Sequence, residues 1–136
     1  MTATASTEPL VEAAWLSPGL PITAVGADDP SKAELSADCL RRADRIVVDS
    51  RALAAAHGDL ARAGTDCRGL PELGQILVGS APGREWHKEI TVCKLIGLGV
   101  QDLAATEVAL ARLRDGGPRR KQTPATARDL LRPPTQ

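Results

Sequence analysis

The stretch AVGADDPSKAEL, residues 24–35, sets two adjacent carboxylates, Asp28 and Asp29, and a lysine, Lys32, directly after an apolar run. A carboxylate at a strand end can exchange a proton with a bound substrate. It can equally form the turn that an Asp-Asp-Pro sequence favours, or cap a helix. Gly26 and Ala27 are small enough to let a ligand approach the backbone. In open parallel sheets ligands sit outside the carboxyl ends of the strands, which is where Val25, Gly26, Ala27 and Asp28 fall. Lys32 has the reach for a phosphate, or it rides a helix surface. The residues alone leave Asp28 open between turn chemistry and proton transfer.

A second stretch, EITVCKLIGLGVQD, runs from an apolar segment into G-x-G, the way a dinucleotide-binding unit begins. The third small residue of that fingerprint is replaced by Asp102, whose charge would repel a pyrophosphate, so Asp102 reads as serving the start of a helix. Cys39, Cys67 and Cys93 stand far apart with no C-x-x-C pair and no histidine at zinc-ligand spacing. No metal site and no disulfide framework is expected, and each cysteine reads as a small buried apolar residue. His57 and His87 lie in polar stretches and read as surface residues.

The elements that must position these groups follow from periodicity and punctuation. LPITAVGA has the length and β-branched content of a buried strand, announced by Ser-Pro-Gly and closed by Asp-Asp-Pro. SKAELSADCLRRAD predicts a helix with Leu35, Cys39, Leu40 and Ala43 on one face, and RIVVD a second strand. SRALAAAHGDLARAG predicts another helix, capped by Ser50 and stopped by Gly64. PELGQILVGS predicts a short helix with Pro71 in its first turn, APGRE a turn and EITVCKLI a third strand. GLGVQDLAATEVALARLRDGG predicts a long helix carrying Leu103, Val108, Leu110 and Leu113 and ending at Gly116-Gly117. Strand, helix, strand in this order is the unit of a parallel sheet. The expected fold class is α/β, a partial Rossmann-like, doubly wound and mainly parallel sheet with a long C-terminal helix.

A chain of 136 residues allows about one small domain. It is 43% hydrophobic yet has two tryptophans, Trp15 and Trp86, and neither Phe nor Tyr, so aliphatic side chains build the core. Without ring faces a single-strand nucleic-acid platform is not expected. Residues 117–136 carry Arg119, Arg120, Lys121, Arg128 and Arg132 against Asp129. That segment, rich in Pro, Thr and Gln, reads as a disordered basic tail behind a domain of residues 1–116. No apolar stretch is long enough for a membrane span and the N-terminus lacks the pattern of an export signal, so a cytoplasmic location and no membrane partner are expected.

WLSPGLPITAVGADDPSKAEL, RIVVDS, GDL, ELGQILVGSAPGRE and EITVCKLIGLGVQDLA follow one another in an order and spacing that resembles the ornithine cyclodeaminase/mu-crystallin family over about residues 2 to 114. The resemblance implies a Rossmann domain, NAD or NADP as cofactor, a homodimer, and an amino acid or cyclic imino acid as the small-molecule partner. Its G-G/A-D motif falls on Gly26, Ala27 and Asp28, and its aspartate is held to exchange a proton with the substrate amine, which would make Asp28 catalytic. The lysine of its P-G-K element matches Lys32, with Ser31 in place of the glycine. Its Ser-Val-Gly element beside nicotinamide and substrate falls on Leu95, Ile96 and Gly97. The cofactor-binding residues it implies are thus Val25, Gly26, Ala27, Lys32 and Leu95, with Ile96 on the substrate.

Leu95 removes a hydroxyl that the family uses. The family's Arg/Lys substrate clamp and its G-x-G-x-x-G/A loop lie in an N-terminal half that has no counterpart here. The expectation is therefore a fragment of an enzyme that converts ornithine to proline with loss of ammonia, or that reduces ketimines, inactive by itself. The alternative is a non-catalytic remnant or a binding and assembly module of the mu-crystallin type.

Overall fold

The computed structural model describes residues 1–115. They form two compact units, residues 1–98 and a second unit beginning at Gly99. The expected tail, 117–136, and the Gly116-Gly117 helix stop lie outside the described residues.

The first unit is built on a three-stranded parallel sheet of β1 (Pro21–Ala24), β2 (Arg45–Val48) and β3 (Thr91–Lys94), in the order β1-β3-β2. All three are parallel because each connection crosses back over the sheet, as in other α/β folds. Pro21 and Arg45 both pair with Thr91, and Ala24 and Val48 both pair with Lys94. With a side-chain period of two, Ile22, Ala24, Val92 and Val48 therefore share a face. That face packs on Leu35, Cys39, Leu40, Ala54 and Leu60 in one aliphatic core. The expected α/β class with a parallel sheet is what the chain adopts.

Two helices differ from their periodicity. The helix expected from residue 31 is only α1 (Ala37–Arg42), with Ser36 Oγ accepting the Cys39 amide at 3.2 Å. Before it the chain is held otherwise: Asp29 Oδ1 accepts Ser31 N and Lys32 N, and Leu35 forms an isolated parallel bridge with Val11. Leu35 and its neighbours gain more by side-chain and bridge contacts than from another helical turn. The segment after Ser50 is two helices, α2 (Arg51–Ala56) and α3 (Gly58–Arg62). They break at Gly58, whose φ of +68° a helix interior does not contain. Ser50 does cap α2 through Leu53 N, and Gly64 follows α3 at φ +64°.

α4 (Leu73–Leu77) starts one residue past Glu72, whose amide donates to Gln75 Oε1 at 3.0 Å, a reciprocal cap that replaces Pro71 as the start signal. The second unit is α5 (Gly99–Arg114), with Asp102 in its first turn and Leu103, Leu110 and Leu113 exposed. No helix among the described residues is long and apolar enough to cross a membrane.

Candidate active site

β1 and β3 are adjacent and parallel, so the segments that leave their carboxyl ends emerge on the same end of the sheet. Leu95 N donates to Ala24 O at 3.0 Å, which extends the ladder one step, so that the segments beginning at Val25 and at Leu95 leave the sheet side by side. The two stretches singled out in the sequence thus meet, although about seventy residues separate them.

The two adjacent aspartates have different partners. Asp29 is the turn former, since its carboxylate accepts Ser31 N at 2.7 Å, Ser31 Oγ at 2.6 Å and Lys32 N at 3.2 Å. Asp28 accepts none of these bonds. Its half-exposed carboxylate pairs with Lys32 Nζ at 2.6 Å, across the i,i+4 spacing noted in the sequence. The Lys32 hydrogen bond holds the Asp28 carboxyl below the usual carboxylate range, and the same contact raises the Lys32 ammonium.

Gly26 and Ala27 are small for a different reason than ligand approach. A Cβ on Gly26 would lie well inside van der Waals contact of the Thr4 backbone and of Glu34 Oε1, so the space is filled by the chain itself. The Ala27 side chain is fully buried, and Ala27 O sits where a Cβ on Gly58 would go. Both residues are packed against other parts of the chain, and Gly26 is partly exposed, as are Val25, Lys32, Leu95 and Ile96.

A buried array beneath the loop escaped the sequence reading. Glu34 is fully buried and accepts Gly26 N at 2.8 Å, Thr4 N at 2.6 Å, Thr2 Oγ1 at 2.9 Å and Thr4 Oγ1 at 3.0 Å. Burial alone would push its pKa up; the amides of Thr4 and Gly26 and the two threonine hydroxyls outweigh this and lower it. Asp59, at the start of α3, accepts Glu34 N at 2.7 Å and Leu35 N at 3.1 Å through Oδ1. Its Oδ2 accepts no hydrogen bond and lies 3.8 Å from the buried Lys94 ammonium. Lys94 Nζ donates in turn to Leu95 O at 3.2 Å and Ala24 O at 3.5 Å.

Asp49 follows β2 and holds the other segment. Its Oδ2 accepts Ile96 N at 3.0 Å and Gly97 N at 2.7 Å, and its Oδ1 accepts Ser50 N at 2.9 Å.

Two smaller expectations need correction. Cys93 is only half-buried, because it lies on the opposite sheet face from Val92, in a groove with Pro21, Thr23, Val47 and Ile76; Cys39 and Cys67 are buried as expected. His57 is half-buried with its Nδ1 enclosed, since it sits at the α2–α3 break, whereas His87 is exposed. No cluster of potential metal ligands occurs among the described residues.

The sequence model of the ornithine cyclodeaminase/mu-crystallin family matches residues 1–117. The chain belongs to this family. Among curated relatives it is 36% identical over 113 residues to an alanine dehydrogenase of Archaeoglobus fulgidus, covering 79% of this chain and 35% of the relative. It is 37% identical over 109 residues to the ketimine reductase mu-crystallin of Mus musculus, covering 79% and 33%.

Solved structures of the family agree with the fold. The Thermococcus litoralis Δ1-pyrroline-2-carboxylate reductase in complex with NADH and L-proline superposes with a TM-score of 0.70 at 28% identity, over 85% of this chain and 38% of that one. An archaeal alanine dehydrogenase dimer with bound NAD superposes with a TM-score of 0.71 at 32% identity, over 89% and 40%. The chain spans about a third of the length of the curated relatives it matches.

Proposed function

We propose that these residues supply the strand-end part of an NAD(P)-dependent site for an amino or imino acid, within a domain of residues 1–116. The observation that carries the reading is the convergence of Val25–Asp28 and Leu95–Gly97 at one end of the parallel sheet, with the Asp28 carboxylate exposed there. In folds of this kind that end of the sheet is where ligands bind.

The partly exposed residues suit the nicotinamide end of a cofactor: Val25, Lys32 and Leu95 would line it, Gly26 and Ala27 would set the loop from behind, and Ile96 would face the substrate. When bound, the nicotinamide supplies a hydride acceptor or donor. The part of this chain in the chemistry is proton handling. Asp28, ionised through its Lys32 contact, takes a proton from the substrate ammonium and returns it, and Lys32 holds the carboxylate while it is charged. Leu95 offers an apolar wall where a hydroxyl contact is the family pattern. Conversion of ornithine to proline with loss of ammonia, and reduction of a cyclic ketimine, are the two reactions that suit such a site, in a homodimeric protein. A non-catalytic binding or assembly role of the mu-crystallin type is the second reading, favoured by the engagement of the Asp28 carboxylate with Lys32.

The test is a titration of the ¹⁵N-labelled chain with NADH, NADPH and Δ1-pyrroline-2-carboxylate. These 136 residues contain no glycine-rich loop opening a helix toward a pyrophosphate, so the expected cofactor affinity is no better than about millimolar. The expected amide shifts cluster at Val25, Asp28, Lys32, Leu95 and Ile96. Shifts confined to other surfaces, or none at several millimolar ligand, overturn the reading.

A further inference from the structure

Among the described residues, the Lys94 side chain is the charged group that reaches both segments of the proposed site. It is fully buried, and its ammonium donates to the carbonyls of Ala24 and Leu95, the last residue of β1 and the first residue past β3. Those carbonyls lie at the two points where the chain turns from the ladder toward Asp28 and toward Ile96. The geometry points to Lys94 as a positioning residue that staples the two strand exits together, with Asp59 as its counter-ion. The inference rests on the reading of those exits as one site, but it makes its own structural demand.

A buried ammonium needs several partners to offset its lost hydration. Lys94 has two carbonyls and one carboxylate, and all three belong to backbone or to elements that border the site. Asp59 extends the array, because its other oxygen fixes the amides of Glu34 and Leu35, and Glu34 in turn fixes Gly26. Ammonium, carboxylate and carboxylate thus form a continuous line from the Leu95 exit to the Gly26 loop. A purely apolar residue at position 94 would fill the same space next to Ala24 and Val48 but would leave the carbonyls of Ala24 and Leu95 without this donor. Gly58 makes the arrangement possible, since a Cβ there would press on Lys94 Cε at 3.1 Å as well as on Ala27 O.

The experiment uses the intact chain in two arms. In the first, the double variant Lys94→Met with Asp59→Asn removes both charges together, so that neither is left buried alone, and keeps the oxygen that Glu34 N and Leu35 N need. The expected result is a folded protein in which amide hydrogen exchange at Val25, Gly26, Leu95 and Ile96 quickens at least tenfold, while exchange at Leu40 and Ala54, in α1 and α2, stays within a factor of two. Unchanged exchange at the strand exits in a folded double variant overturns the proposal.

The second arm needs no variant. The amide nitrogens of Val25 and Ile96 belong to the same peptide groups as the two acceptor carbonyls, so both must respond when Lys94 loses its proton. Burial pushes the Lys94 ammonium below the ordinary lysine range, against the opposing negative charges of Asp59, Glu34, Asp49 and Asp28. As pH is raised from neutral, Val25 and Ile96 are therefore expected to titrate together, with one shared midpoint below that of an exposed lysine. Separate midpoints, or no titration at either, overturn the staple. Failure in either arm leaves Asp28 untouched as a proton carrier, which its own substitution tests.

Discussion

Gly97 N donates to Asp49 Oδ2 at 2.7 Å, and the same oxygen takes Ile96 N at 3.0 Å, so one carboxylate from the end of β2 anchors the segment that leaves β3. The middle and outer strands are tied at their exits by a side chain as well as by the ladder. Asp49→Ala leaves the amides of Ser50, Ile96 and Gly97 without their acceptor. It is expected to cost about 1–3 kcal/mol of stability in urea unfolding. Hydrogen exchange should rise first at Ile96 and Gly97; a loss spread evenly over the sheet would assign Asp49 to general stability instead.

Glu34 makes the stability of the fold acid-sensitive. Its carboxyl is lowered in the folded state by the Thr4 and Gly26 amides and the threonine hydroxyls, against the opposing effect of burial. A group with a depressed folded pKa contributes stability that is present above its unfolded pKa, about 4.3, and is lost as pH falls through the lower folded value. Unfolding free energies measured from pH 7 down to pH 3 are expected to fall below about pH 4.5. Glu34→Gln should be less stable at pH 7, by roughly 2 kcal/mol for a lost charge-assisted acceptor, and should show a shallower acid limb. An acid limb as steep as that of the parent would remove Glu34 from this role.

Gly58 and Gly64 form an internal comparison. Both have positive φ, +68° and +64°, but a Cβ at Gly58 would meet Ala27 O and Lys94 Cε, whereas nothing lies within 4 Å of one at Gly64. Gly64→Ala should cost about 1–2 kcal/mol, the left-handed penalty alone. Gly58→Ala should cost about 1–3 kcal/mol more, because the Ala27 carbonyl or the lysine must move. Equal melting-temperature shifts for the two variants would show that the close approach at Gly58 is relieved without strain.

Asp28→Asn tests the proton-transfer assignment. Grafting residues 1–115 in place of the matching third of the Bacillus cereus Δ1-pyrroline-2-carboxylate reductase, a 34% identical relative, gives a context in which turnover can be read. Asn keeps the shape and its oxygen can still accept from Lys32, but it carries no proton between substrate and solvent. The expected loss in turnover is about 10² to 10⁴ with cofactor affinity unchanged. Asp29→Asn, which preserves the turn acceptor for Ser31 and Lys32, should leave turnover near that of the graft. Retention of more than about a tenth of turnover by Asp28→Asn returns Asp28 to a structural role.

The strands were legible in the sequence because PITA, RIVV and TVCK are short apolar runs bounded by turn residues, and their parallel arrangement followed from the helix between the first two. That segments 25–28 and 95–97 leave neighbouring strands was not legible from local pattern, because the strand order that sets β3 beside β1 comes from long-range pairing; only the family resemblance linked the two stretches. The buried array also lay beyond local pattern. Glu34 sits between Ala33 and Leu35 in a stretch with helical spacing, where a glutamate reads as an exposed face; only the Asp29 turn and the bridge of Leu35 to Val11 turn it inward. Gly58 follows AAAH in a strong helical run, and its left-handed backbone is dictated by Ala27 and Lys94 across the fold. Lys94 was the most readable of the three. It stands two residues from Val92, so strand alternation alone places it on the core face opposite the small Ala24.

The strand order β1-β3-β2 places the last of the three described strands in the centre of the sheet. β1 and β2 share no ladder and are joined to each other only through β3, and the Ala24–Lys94 contact spans 70 residues. During synthesis β1, β2 and the helices near them must wait until residues up to Lys94 are made before these three strands can join. Pairings that distant in sequence close slowly, because the entropy of a long loop is lost before any ladder bond is gained. The time during synthesis when these open strand edges can pair wrongly with other chains is therefore set by how soon residues 91–94 emerge.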